Sequence, residues 1–335
     1  MTSGSITTAS ALFALGAIVS LAASYGLVVR LERVADRLRL SEVALGLLVA
    51  IAADSPEITS AISASSHGQR SIGAGVVLGS NVFNLAALLG LGAIVAGSIA
   101  LHRRVVLRDG TTAIWVAAVS TVVVTTGLDA GLGILLVLIV VVPYVFVSVS
   151  SPVTLQRLGL PRTWVSWMTR AVAEEKSELS QAIVPLPPGR GDVVAIAIAL
   201  VVVVASSTVM ERSAERIGSH LGLSDLVTGG VILAAVTSLP NAVGAVFLAA
   251  RGRGAAVLSE AMNSNMINVV IGWLLPGLFI GLGRPQASST IVVVWYVGLT
   301  VASLALIYLE RGLTRTSGSL IVLIYCGFLV VASLR

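Results

Sequence analysis

The chain has 335 residues, 56% of them hydrophobic and only 11% charged, with a formal net charge of +5 and a mean hydropathy of +0.99. A soluble domain carries about 25% charged residues, so this composition excludes one and predicts an integral membrane protein buried against lipid and itself. The net positive charge does not imply nucleic acid, because the arginines fall in short loops between apolar runs.

The first ten residues carry no Lys or Arg, and the apolar run behind them continues to Val29 before it ends in arginines. It lacks the basic n-region of a signal peptide, so a retained first helix is expected. Apolar windows of about 20 residues predict spans near 8–30, 41–66, 72–99, 107–127 and 129–150. A second set falls near 192–213, 224–250, 255–282, 288–309 and 317–334. The runs are too long and too poorly alternating for strands. An odd number of spans per half predicts that two homologous halves enter the membrane in opposite directions. The expected fold is therefore all-α and integral to the membrane, with ten transmembrane helices forming two inverted five-helix repeats, 1–150 and 192–335, joined by a linker, 151–191.

Sixteen of the 21 basic residues lie in loops that share one side of this layout. The positive-inside bias predicts an outside N-terminus, a cytoplasmic linker and a multi-pass protein of the plasma (cell) membrane. The linker segment TWVSWMTRAVAEEKSEL, with Trp164 and Trp167 among charges, reads as an interfacial helix. PLPPGRG behind it reads as a stiff spacer. The single cysteine, Cys326, excludes an internal disulfide framework and reads as a small packing residue.

The segment Leu48 to Gly90 is apolar enough for a bilayer, yet it holds Asp54, Pro56 and Glu57 in one span and Ser80, Asn81 and Asn84 in the next. A carboxylate at bilayer depth costs about 2.5–3.5 kcal/mol even on insertion scales, and proline disturbs the helix beside it. The pattern recurs in Leu233 to Pro276. Pro240 matches Pro56, Asn241 matches Glu57, and Ser264, Asn265 and Asn268 match Ser80, Asn81 and Asn84 at identical spacing. The lead-in Ser41-Glu42 before Gly46 resembles Ser224-Asp225 before Gly229. Paired interrupted helices in two halves point to a transporter binding site near the midplane.

The chemistry suits a hard cation, which takes six to eight oxygens. Asp54 and Glu57 supply anionic oxygens from one helix face. Asn84, Asn241, Asn268, Ser80, Ser264, Thr237 and Ser238 supply neutral ones. His67, His102 and His220 fall at span ends and read as interfacial, which disfavours a soft-metal site. Glu260, one turn before Ser264, reads first as a helix N-terminal acid favoured by the macrodipole and second as part of a cytoplasmic access path.

The segments AADSPE with GSNVFN, and TSLPN with NSNMIN, resemble the two alpha repeats of the sodium/calcium exchanger family within the cation/calcium antiporter superfamily. The resemblance implies a non-enzymatic antiporter that uses alternating access and needs no cofactor. Its partners would be the bilayer and inorganic cations, with Ca2+, Na+ and H+ as cargo. It places Glu57 on the family's first calcium-binding glutamate. It places Thr237 and Ser238 on the Thr-Ser pair of the second repeat, Ser80 and Ser264 on hydroxyls lining sodium sites, and Asn84 and Asn268 on the central Asn/Asp position. The sequence departs from the family at Asn241, where a glutamate is lost, and at Asp54, where an acid is gained. A shifted alignment would put Ser55 in the ligand role instead. Two acids one turn apart favour sharing a proton, which makes proton coupling an option beside sodium. The competing readings are a degenerate, non-transporting scaffold, a passive cation channel and an intramembrane hydrolase. The duplication argues against a channel, and the absence of a mid-span base argues against a hydrolase.

Overall fold

A computed structural model describes residues 3–37, 50–159, 161–180 and 191–334. The lead-in at Ser41-Glu42 and most of the PLPPGRG spacer lie outside the described residues. The helices in chain order are α1 (Ser3–Arg37), α2 (Ser55–Ser66), α3 (Arg70–Ala96), α4 (Arg103–Thr126) and α5 (Ala130–Val149). After the linker helices α6 (Pro152–Arg157) and α7 (Arg162–Ser180) come α8 (Asp192–Leu221), α9 (Asp225–Thr237), α10 (Leu239–Ala250), α11 (Gly254–Ile280), α12 (Ala287–Glu310) and α13 (Arg315–Ser333). Among the described residues eight helices are long and apolar enough to cross a membrane, and nine if the bent pair α9–α10 counts as one.

Burial separates the helices into two groups. In α3 94% of the apolar window is buried, against 22% in each of α1, α5 and α8. The first is a central helix enclosed by protein, and the others turn Leu15, Leu135, Val201 and similar side chains outward, as lipid contact requires. Cys326 lies on such an outer face of α13. It is not the packing residue its apolar neighbours suggested, because the surroundings of an outward residue are apolar too.

Two prolines create the breaks that shape the centre. Pro56 and Pro240 each sit in the first turn of α2 and α10. Asp54 just ahead of one break has φ −79, ψ −3, and Ser238 at the other has φ −84, ψ 0. The α9–α10 pair bends by 48°. A proline cannot donate to the carbonyl four residues back. For Pro56 that carbonyl is Ala52 O, which accepts instead from Ser55 Oγ at 2.6 Å and from Ser24 Oγ of α1 at 3.1 Å. The Ser55 hydroxyl thus spends its hydrogen on repairing the break and keeps only its lone pairs for a ligand.

Three stretches are π-helical: Leu85–Leu91 in α3, Thr228–Leu233 in α9 and Asn268–Leu274 in α11. The first begins immediately after Asn84 and the last begins at Asn268. A π turn inserts one residue and re-aims the side chains around it, and such turns concentrate at functional sites. Where α3 crosses α9 the backbones touch: a Cβ on Gly79 would overlap the Gly230 main chain. Small residues permit this approach in the way they do in membrane helix pairs.

Two features depart from the expected all-helical layout. Ser98–Ala100 (β1) and Gly312–Thr314 (β2) pair antiparallel, with Ile99 opposite Leu313. Three-residue strands between spans leave no alternation to detect. The linker helix expected at the interface is also docked on the bundle, because α7 packs on α4, α5 and α11 and buries Val165, Ala171 and Val172.

Candidate cation site

Four elements converge on one buried polar cluster. The break before α2 brings Asp54 and Glu57, α3 brings Ser80, Asn81 and Asn84, the α9–α10 break brings Thr237, Ser238 and Asn241, and α11 brings Ser264, Asn265 and Asn268. None of the nine candidate ligands is more than 2% exposed.

The hydrogen bonds join the two halves throughout. Asp54 Oδ1 accepts from Asn241 Nδ2 at 2.6 Å and from Ser264 Oγ at 2.7 Å. Glu57 Oε1 accepts from Ser238 Oγ at 2.6 Å. Asn84 Nδ2 donates to Ser264 Oγ at 3.0 Å and to Asn265 Oδ1 at 3.1 Å. Asn268 Nδ2 donates to Asn81 Oδ1 at 3.3 Å, and Ser80 Oγ reaches Ala234 O at 3.4 Å. Asn81 and Asn265 exchange identical bonds, each amide donating to the other's backbone carbonyl at 3.1 Å. Thr237 spends its hydroxyl proton on Leu233 O within its own helix at 2.8 Å. That leaves only its lone pairs for a ligand.

These bonds leave particular oxygens over. Asp54 Oδ2, Glu57 Oε2, Asn84 Oδ1 and Asn268 Oδ1 are buried without a hydrogen-bond partner. Leaving a buried acceptor unsatisfied costs about 1–3 kcal/mol, more when it is charged. Two carboxylate and two amide oxygens in one place, with hydroxyl oxygens beside them, form a hard-donor set. The cluster is built of Asp, Glu, Asn, Ser and Thr alone, with no imidazole or thiolate suited to a softer ion.

Asn241 presents its nitrogen, not its oxygen, to Asp54, and the same nitrogen reaches Ser264 Oγ at 3.2 Å. The residue therefore braces the acid across the two halves. Residue pairing by sequence could place it here but could not tell which end of the amide turns inward.

Glu260 differs from its first reading. No acid lies in the first turn of α11, and Glu260 sits six residues in, beyond the reach of an N-terminal dipole. Its Oε2 is buried without a partner, and its Oε1 lies beside Gly244 of α10. His67, read as solvated, is exposed yet bonded through both ring nitrogens, to Ser63 O at 2.7 Å and to Arg212 at 2.6 Å.

A second buried network escaped the sequence reading. Asp109 of α4 accepts from Arg108 Nε at 2.6 Å, from Tyr144 at 3.3 Å and from Ser259 Oγ at 2.5 Å. The Tyr144 hydroxyl also lies 2.9 Å from Asn263 Oδ1, and its one hydrogen is shared between the two acceptors. Its residues come from α4, α5 and α11 and share no local motif.

Known proteins resemble this chain in sequence and in fold. The inner membrane protein YrbG of Escherichia coli (strain K12) is 28% identical over 235 residues, covering 69% of this chain and 67% of that protein. The solved sodium-calcium exchanger NCX_Mj, soaked with Na+ and Sr2+, superposes with a TM-score of 0.59 at 21% identity, over 98% of this chain and 100% of that one. The H+/Ca2+ exchanger CAX superposes with a TM-score of 0.70 at 14% identity, over 96% and 82%. At such identities the two structures speak for the fold alone. The sodium/calcium exchanger protein model matches residues 8–153 and 192–334, most of both halves, and the chain belongs to that family of multi-pass membrane exchangers.

Proposed function

We propose that this protein is a secondary antiporter that exchanges calcium, or a related hard cation, for sodium or protons by alternating access at the buried cluster. The observation that carries the reading is the set of four buried oxygens without a hydrogen-bond partner, two of them on carboxyl groups. A cation entering there would satisfy all four and offset the burial of two carboxylates. We assign Glu57 and Asp54 as the charged ligands, and Asn84, Asn268, Ser80, Ser264, Thr237 and Ser238 as neutral or supporting oxygens. Asn241 is the brace that holds Asp54.

The architecture proposed with it is ten spans in two inverted repeats, 1–150 and 192–335, on either side of the 151–191 linker. The N-terminus is outside, the linker is cytoplasmic and the protein resides in the cell membrane. The reciprocal Asn81–Asn265 exchange supports a two-fold relation between the halves, and the coupling of α9 and α10 through a 48° bend supports a broken span. NCX_Mj and CAX carry Na+ or H+ against Ca2+ by their names, and this chain is assigned the same pair of coupling options.

The second reading, a non-transporting scaffold, is favoured by the Asn241 amide filling the place where the family carries an acid. Reconstitution in vesicles with sodium and proton gradients imposed separately decides between the two. Gradient-driven calcium uptake supports the antiporter. No uptake under either gradient, with no rise in melting temperature on adding calcium, sinks it.

A further inference from the structure

Loops from both halves meet at one end of the bundle, where β1 pairs with β2. Leu101 N donates to Arg311 O at 3.0 Å, which ties the chain entering α4 to the chain leaving α12. A Cβ on Gly254 would overlap Ala100 O, so the turn between α10 and α11 lies against the same ribbon. Four exposed arginines border it. Arg103 opens α4, Arg251 follows α10, Arg311 joins α12 to β2, and Arg315 opens α13.

These side chains are held at the surface by contacts that leave their charge uncancelled. The Arg103 guanidinium stacks over the Tyr308 ring at 4.8 Å, and that of Arg251 over Phe247 at 3.8 Å. The Arg315 guanidinium lies beside Gly97, where a Cβ would sit 3.5 Å from its Nε. Among the described residues none of the four forms an ion pair. Glu310, the acid next to Arg311 in the chain, accepts from Thr314 Oγ1 at 3.4 Å. Arg311 has φ 56, ψ 39, at a helix end whose left-handed conformation ordinarily takes glycine. It is the one non-glycine residue with positive φ among the described residues. The backbone does not explain an arginine there, and such outliers point to a function for the side chain.

Exposed apolar groups adjoin these charges. Phe247 is one turn before Arg251, and Tyr308 and Leu309 stand in the last turn before Arg311; all three are exposed. We propose that the ribbon end of the molecule binds anionic phospholipid, with the guanidiniums of Arg103, Arg251, Arg311 and Arg315 on the headgroup phosphates and acyl chains against Phe247, Tyr308 and Leu309. Guanidinium matches phosphate in geometry and charge, and basic pockets at the ends of membrane helices take anionic headgroups. A free anion would meet the same charges but gain nothing from the apolar flank. Basic loops also direct insertion, but that role asks for neither aromatic stacking nor an arginine at positive φ. The inference is independent of the antiport reading.

Native mass spectrometry of the purified full chain in neutral detergent tests it, by titration with dioleoylphosphatidylglycerol, dioleoylphosphatidylcholine and glycerophosphate. Wild type should bind the phosphatidylglycerol more tightly than the phosphatidylcholine. Each arginine near a membrane surface contributes about fivefold to the attraction for anionic lipid, so Arg103→Gln with Arg315→Gln should weaken phosphatidylglycerol binding roughly twenty-five-fold. Either single variant should weaken it about fivefold, which carries the test if the double variant does not insert. Arg157→Gln with Arg162→Gln removes the same charge from the linker and should leave binding within about twofold, as a charge effect confined to the ribbon requires. Unweakened binding in the ribbon variants, an equal loss in the linker variant, or equal affinity for the two lipids overturns the proposal. Displacement of phosphatidylglycerol by an equal concentration of glycerophosphate also overturns it, since the surface would then be a site for free anions.

Discussion

Replacing Asp54 tests whether the acid gained in one half does the work of the acid lost in the other. Asp54 Oδ1 takes hydrogen bonds from Asn241 and Ser264 at 2.6 and 2.7 Å, while Oδ2 is unpartnered. Asparagine at 54 keeps an oxygen for both donors and removes the charge. Removing one member of a buried charge pair costs about 3–5 kcal/mol when the ion is bound. At about 1.4 kcal/mol per decade, that predicts a loss of calcium affinity of roughly two to three and a half orders of magnitude. In the ion-free protein the same change relieves a buried like charge beside Glu57, so the melting temperature should hold or rise. Asp54→Ser should also abolish exchange. Adding Asn241→Glu should restore it, because the new carboxyl enters the space that the Asp54 carboxyl shares with the Asn241 amide. Separating the two acids should also flatten the pH dependence of uptake and strengthen its sodium dependence. The assay is calcium titration of purified protein, with vesicle uptake for wild type, both single variants and the double. Wild-type affinity in Asp54→Asn would falsify the compensation, and Asp54 would then be a bystander.

Three further outcomes are expected. Glu57→Gln keeps the acceptor for Ser238 Oγ but not the charge, so vesicle uptake should vanish while the amount of protein in the membrane fraction is unchanged. Gly79→Ala should destabilise by about 1–3 kcal/mol or prevent folding, read as thermal unfolding in detergent, because its methyl would overlap the Gly230 backbone. Asp109→Asn should cost about 3–5 kcal/mol by removing the carboxylate that Arg108 pairs with at 2.6 Å. Unchanged melting there would show that the network is not structural.

The parts of this molecule that the sequence makes legible are those with a local cause. Spans follow from runs of apolar residues, and the breaks at Asp54 and Ser238 follow from prolines that withhold a backbone donor. The Asp54–Asn241 contact was foreseeable because the duplication predicts two broken spans that meet across a two-fold axis near the midplane. What stayed hidden depends on partners far apart in the chain. Glu211 meets Ser63 across 148 residues, and Ser259 meets Asp109 across 150, with no spacing to announce either. The π turns at Leu85–Leu91 and Asn268–Leu274 have no compositional signature, since leucine, valine and glycine serve an α turn as well. The linker helix was visible as amphipathic, but not the face of the bundle on which it docks.

The Asn81–Asn265 exchange is the contact of an isologous interface folded into one polypeptide, where each side offers what it receives. Such a contact cannot tell its two sides apart, and by itself would hold two copies of one half as readily as two different halves. Discrimination has to come from residues off that axis, and here it comes from chemistry: the paired acids Asp54 and Glu57 belong to one side, and the answering Ser238, Asn241 and Ser264 to the other. The symmetric pair sets the separation of the central helices, and the asymmetric ring around it is free to vary in charge without disturbing that separation. Ion preference and scaffold geometry are in this way carried by different residues within a few ångströms of each other, so one can diverge while the other is kept.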